Sequence, residues 1–155
     1  MNAQNWINLL GMSKHPLGGY RCRLEDRCGS VGKGCSTASS YRMLKEGETL
    51  GFHQVKQSQV WHYYAGQPMW VYFLVRHHLL AQRLGKDPSR GELPMLSIPE
   101  GTLVAAEVES RKGFTLYGVV LTGVDVVEPA ALPDRDKLLS RYPEHRAHIL
   151  RMSRA

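Results

Sequence analysis

The middle of the chain is a succession of short apolar, β-branched or aromatic runs separated by turns rich in Gly and Pro. This succession limits the possible folds more than any other feature. Residues 69–75 (MWVYFLV) and 114–121 (FTLYGVVL) are the clearest runs, and each has the length and residue types of a buried strand. Fifteen Gly and eight Pro among 155 residues suit a turn-rich β protein better than a helical bundle. About nine short strands are expected at close spacing, which is the signature of a β-sandwich or barrel. Further strands are expected over 20–25, 36–44, 79–84, 95–98 and 103–108, with 124–127 as an extension of the last long one.

Both ends change period. Residues 3–11 place Trp6, Ile7, Leu9 and Leu10 at roughly helical spacing, and Gly11 stops them. In the tail, Leu138 with Leu139 and Ile149 with Leu150 are expected to form the buried faces of two short helices. Asp134 and Pro143 supply their start signals. The length fits one domain with a real core, a barrel over about 20–128 followed by a helical tail over about 134–152.

Twenty basic residues against fourteen acidic ones give a formal charge of +6. They are scattered, with no nucleic-acid motif, so the expectation is a solvated basic surface and no nucleic-acid partner. The N-terminus lacks the basic and apolar regions of a signal peptide, and no apolar run approaches a membrane span. A cytoplasmic protein without a membrane partner is expected. Cys22, Cys28 and Cys35 do not have the close pairing of zinc ligands and read as free thiols. The glycine-rich stretch 28–34 lacks a phosphate-loop sequence, since Lys33 is followed by Gly34.

The stretch Gly47–Gly66 carries the chemistry. It reads as two strands around the polar turn Lys56, Gln57 and Ser58. Gly47, His53 and Gly66 fit the spacing G-x5-H-x-H-x3-E-x6-G, the first cupin motif, while its second His is Val55 and its Glu is Gln59. Four further segments accompany it in order: Asn8-Leu9-Leu10-Gly11 through His15-Pro16-Leu17-Gly18-Gly19-Tyr20; Ser36-Thr37-Ala38; Val60-Trp61-His62-Tyr63-Tyr64-Ala65-Gly66; and Gly91-Glu92-Leu93-Pro94 with Pro99-Glu100-Gly101. The ordered set resembles the Cupin_5 (DUF985) family of RmlC-like cupins over nearly the whole chain, including the tail with Tyr142-Pro143-Glu144.

That resemblance implies an all-β double-stranded β-helix, the small jelly roll, with a short N-terminal helix and a two-helix tail, commonly paired into a homodimer. In metal-binding cupins the first motif supplies two His and one Glu and the second supplies one more His. Here those positions read His53, Val55, Gln59 and Val104. One imidazole and one amide are a poor donor set for a divalent ion, so no metal and no other cofactor is expected.

The resemblance also implies that His53, Gln59, Trp61 and Tyr63 line the barrel mouth while His62 and Tyr64 face the other way. His53 is then the acid or base and Tyr63 a donor to a developing oxyanion. Gln59, Trp61, Ser40, Tyr20 and Val104 make up the ligand-binding wall. His15, beside Pro16, is a possible pocket residue or a loop histidine satisfying its own backbone. The function expected is binding of a polar, sugar-like small molecule, with metal-independent isomerase or epimerase chemistry. A metal-dependent oxygenase or lyase using His53 with non-standard ligands, and a non-catalytic binding module, are the alternatives.

Overall fold

The computed structural model describes residues 1–24, 37–122 and 131–153. Cys28, Cys35, the glycine-rich stretch 28–34, Ser36 and the strand expected over 124–127 lie outside the described residues. The order is helix α1 (Ala3–Leu10), then strands β1 (Ser13–Lys14), β2 (Tyr20–Arg23), β3 (Thr37–Lys45), β4 (Thr49–Gln54), β5 (Ser58–Gly66), β6 (Met69–Val75) and β7 (His78–Leu84). A 3-10 turn at Pro88–Arg90 leads to β8 (Glu92–Leu93), β9 (Met95–Ile98), β10 (Leu103–Val108) and β11 (Phe114–Thr122). Helices α2 (Arg135–Arg141) and α3 (Arg146–Met152) follow.

The strands form two sheets, β1-β2-β3-β11-β5-β9 and β4-β10-β6-β7-β8. This is the jelly roll that the family resemblance implies. The two strands of Gly47–Gly66 are not a hairpin: β4 belongs to one sheet and β5 to the other. The polar turn between them therefore bridges the sandwich. On the opposite side the edges are tied by Gly51 N donating to Leu17 O at 3.0 Å.

Three apolar clusters hold the layers. The inner faces meet around Leu44, Leu50, Trp61, Met69, Leu84 and Val104. Outside the six-stranded sheet, α1 adds Ile7 to a cluster with Met12, Cys22, Met43 and Leu116. An Asn2/Asn5 capping box starts this helix, and Gly11 ends it at φ +63°. Outside the five-stranded sheet, Leu138, Tyr142, Ile149 and Met152 pack on Phe52, Tyr72 and Ala105. Burying each such large side chain contributes about 1.5–3 kcal/mol. Asp134 starts α2 by accepting from Asp136 N and Lys137 N.

One expected core position, Leu150, is corrected, and Leu9 of α1 also faces out. Leu9 is 67% exposed and Leu150 is 42% exposed. Ile149 and Met152 stand three residues apart on one helical face, and Leu150 lies about 100° away from Ile149. The same geometry turns Leu9 away from the face that carries Ile7. Arg76 and His77, at φ 50° and 83°, form the two-residue turn of the β6–β7 hairpin.

Candidate functional site

Alternation on β3 separates Ser40 and Arg42 from Tyr41 and Met43, and the register decides which pair faces inward. Ser40 pairs with Val119 and Arg42 with Tyr117, both members of the inner cluster. On the other side of β3, Arg21 pairs with Arg42 and Arg23 with Ser40, so both arginines share this inward face. Arg42 Nε donates to Ser40 Oγ at 3.2 Å. This wall thus carries the half-buried Arg21 and Arg42, the exposed Arg23 and a buried serine.

His15 completes this wall from the β1–β2 connection. The connection closes on itself through His15 N to Gly19 O at 2.9 Å and Gly18 N to His15 O at 3.1 Å. Gly19, at φ +72°, sits so close to β3 that a Cβ there would strike the Met43 carbonyl. The buried His15 ring accepts Leu17 N at Nδ1 (3.0 Å), which leaves the proton of the neutral ring on Nε2. Burial first, and then the charges of Arg42, Arg21, His53 and Arg23, push its pKa down to about 2.

His53 stands on β4 opposite Val104 and is 1% exposed. Its Nδ1 lies 2.9 Å from Gly51 O, an acceptor, so Nδ1 carries the proton and Nε2 is the basic atom of the neutral ring. Burial lowers its pKa to about 4, with Arg42 pushing the same way and backbone hydrogen bonds to Gly51 and Val104 opposing. At neutral pH this histidine is uncharged, so its free ring nitrogen is able to accept a proton.

The other expected site residues divide. Trp61 is fully buried, lies 5.1 Å from the Tyr117 ring, and donates Nε1 to Gln59 Oε1 at 3.0 Å. Val104 contributes an apolar wall with no exposure. Tyr63 is also on the inward side of β5 but four residues beyond Gln59, about 13 Å along a strand. Its hydroxyl donates to Gly66 O at 2.7 Å, and burial with the charge of Glu92 raises its pKa. It therefore belongs to the far end of the barrel, away from the Gln59 end.

Tyr20 is not in the wall at all. It precedes the inward Arg21, so it faces out, with the ammonium groups of Lys14 and Lys45 4.4 and 5.1 Å from its ring centroid. His62 and Tyr64 stack on the outer face at 6.4 Å, as the alternation implies.

A transition ion of the kind cupin barrels hold does not fit these residues. Val55 and Val104 offer no donor, and the Gln59 oxygen already accepts Trp61. No group of three or more His, Cys, Asp or Glu able to hold a metal occurs among the described residues. Arg42 was not singled out from the sequence. Its signal was present in the Ala38, Ser40, Arg42 alternation, which lacked only the choice of inward face.

No curated protein matches the sequence. Among solved structures, a protein from Shewanella oneidensis superposes with a TM-score of 0.87 at 27% identity, covering 99% of this chain and 98% of that one. A hypothetical protein from Leishmania major gives 0.84 at 18% identity, with both chains covered completely. A cupin 2 domain-containing protein from Halorhodospira halophila gives 0.65 at 12% identity, over 92% and 88% of the two chains. The model of the cupin superfamily group Cupin_5 (DUF985) matches residues 4–123, and the chain belongs to that family.

Proposed function

We propose that the interior of the barrel binds a small polar molecule and that His53 removes a proton from it, as in an isomerase or epimerase working beside a carbonyl. The observation that carries this reading is a neutral histidine buried on the inner face within reach of the Arg42 charge, with Ser40 and Gln59 buried on the inward faces of β3 and β5 and Trp61 and Val104 as apolar walls. Apolar walls with a few placed polar groups are the usual makeup of small-molecule sites. In this reading Nε2 of His53 accepts the proton and the Arg42 guanidinium offsets negative charge growing on the substrate oxygen. Tyr63, at the far end, has no part in that step.

A binding module without turnover is the second reading. It is favoured by the pKa of about 4, which makes His53 a weak base at neutral pH. The two are separated by incubating the protein with hydroxy-aldehydes and hydroxy-ketones in D2O containing chelator. Exchange at the carbon beside the carbonyl, read by NMR and abolished in His53→Gln, is the catalytic outcome. Binding without exchange leaves the module, and exchange that survives His53→Gln refutes the assigned base. The homodimer implied by the resemblance belongs to the same proposal and is checked by sedimentation velocity.

A further inference from the structure

An inward-facing cation in a β-barrel has to be answered by something. Arg42 has its Nε on Ser40 Oγ at 3.2 Å, and its terminal nitrogens have no partner among the described residues. The ion pairs among those residues are Lys14–Glu48, Arg83–Glu92, Arg83–Glu109 and Arg151–Glu107, and none of them reaches Arg42. Its cross-strand neighbour is Arg21, and Arg23 stands beside Ser40 on the same face. Like charges directly opposite each other weaken a sheet. The two histidines nearest this row, His15 and His53, are neutral and add no negative charge. Burial first, and then the charges of Arg21 and Arg23, weigh against the charged form of Arg42, and its fork-shaped terminal N–H groups match a planar or tetrahedral oxyanion.

We propose that the ligand of this barrel carries an oxyanion, a carboxylate or a phosphate ester, bound directly by Arg42. Ser40 fixes the orientation of the guanidinium, and Arg21 and Arg23 extend the positive field along β2. This inference rests on the small-molecule reading above and narrows it to a chemical class. It also gives the polar wall a direction: the anionic group lies at β3, and the uncharged part of the ligand extends toward Trp61 and Gln59.

The test is thermal unfolding of the full chain at constant ionic strength, titrated with inorganic phosphate or with malonate against chloride. Wild type, Arg42→Gln, Arg42→Lys and the exposed control Arg111→Gln are compared. Either anion is expected to raise the midpoint saturably in wild type and in Arg111→Gln. Arg42→Gln is expected to bind it about 10- to 100-fold more weakly, the range for losing a hydrogen bond to a charged group. Arg42→Lys, which keeps the charge and loses the fork, falls between. A response to phosphate alone identifies a phosphate ester, and a response to malonate alone identifies a carboxylate. Without anion, Arg42→Gln is expected to melt no lower than wild type.

The inference is overturned if neither anion gives a saturable shift, or if Arg42→Gln responds like wild type. It is also overturned if Arg42→Gln fails to fold, because the arginine is then a structural tie. Should only neutral polyols such as glucose shift the midpoint, in a way sensitive to His53→Gln, the small-molecule reading stands and the charge assignment alone is wrong.

Discussion

Arg83 and Arg42 are both partly covered arginines on sheet strands, and their surroundings are opposite. The Arg83 guanidinium meets Glu109 at 2.6 Å, Glu92 at 3.8 Å and the Arg90 carbonyl at 2.7 Å, and it lies 5.5 Å from the Trp70 ring centroid. Glu92, only 3% exposed, also accepts the backbone N of Asp87 at 3.0 Å, so the cluster ties the β7–β8 connection to the sheet. Arg42 has one serine and two neighbouring arginines. A charge answered by carboxylates on its own chain serves the fold. Arg42 has no ion pair among the described residues and stands beside two neutral histidines, which is where the proposed anion would bind.

Acid separates the two regions most. His53 has a folded pKa of about 4 against an ordinary value near 6.5, so the unfolded chain binds its proton first. Its contribution to stability is complete above pH 6.5 and is lost as the pH falls toward 4, by up to about 3 kcal/mol. Urea midpoints at pH 7.5, 5.5 and 4.5 should decline in that window, and His53→Gln should make the decline shallower, with the remainder due to His15, whose pKa is pushed down to about 2. Because the Arg42 charge lowers the pKa of both His15 and His53, Arg42→Gln should raise the NMR-measured pKa of both. Unchanged values would separate Arg42 from the site.

Removing Glu92 should loosen the Arg83 cluster, although Arg83 keeps Glu109 at 2.6 Å. Glu92→Ala deprives Asp87 N of its acceptor and Arg83 of its buried partner. A loss of about 2 kcal/mol is expected, or about 6 °C in Tm. A Tm within 1 °C of wild type, roughly the effect of a neutral surface change, would erase the contrast between the two arginines.

Arg42→Gln makes the smallest change and has the opposite sign. Loss of the cross-strand repulsion with Arg21 should stabilise the ligand-free protein by about 0.5 kcal/mol, read by chemical denaturation in chloride. A clear destabilisation would place Arg42 in the same class as Arg83.

Strand length, turn chemistry and the helical ends made a sandwich or barrel legible, and the ordered family segments narrowed it to the jelly roll. The motif frame around His53 was legible because a sheet fixes every second side chain by one register. Arg42 was not, since β3 has hydroxylic or small residues on both faces and α1 buries the outer face at Met43 as deeply as the barrel buries the inner one. Tyr20 was misplaced for the related reason that one step along β2 changes the face. Tyr63 shared the correct face with Gln59, but a face is as long as its strand. The distance between its ends decides which residues meet one ligand.

The most direct test is a crystal structure of the protein grown or soaked with malonate or phosphate. The account predicts an anion inside the barrel within hydrogen-bonding distance of the Arg42 terminal nitrogens, with Ser40 Oγ still on Nε. A carboxylate of the chain itself paired to Arg42, with the anion elsewhere, would contradict it.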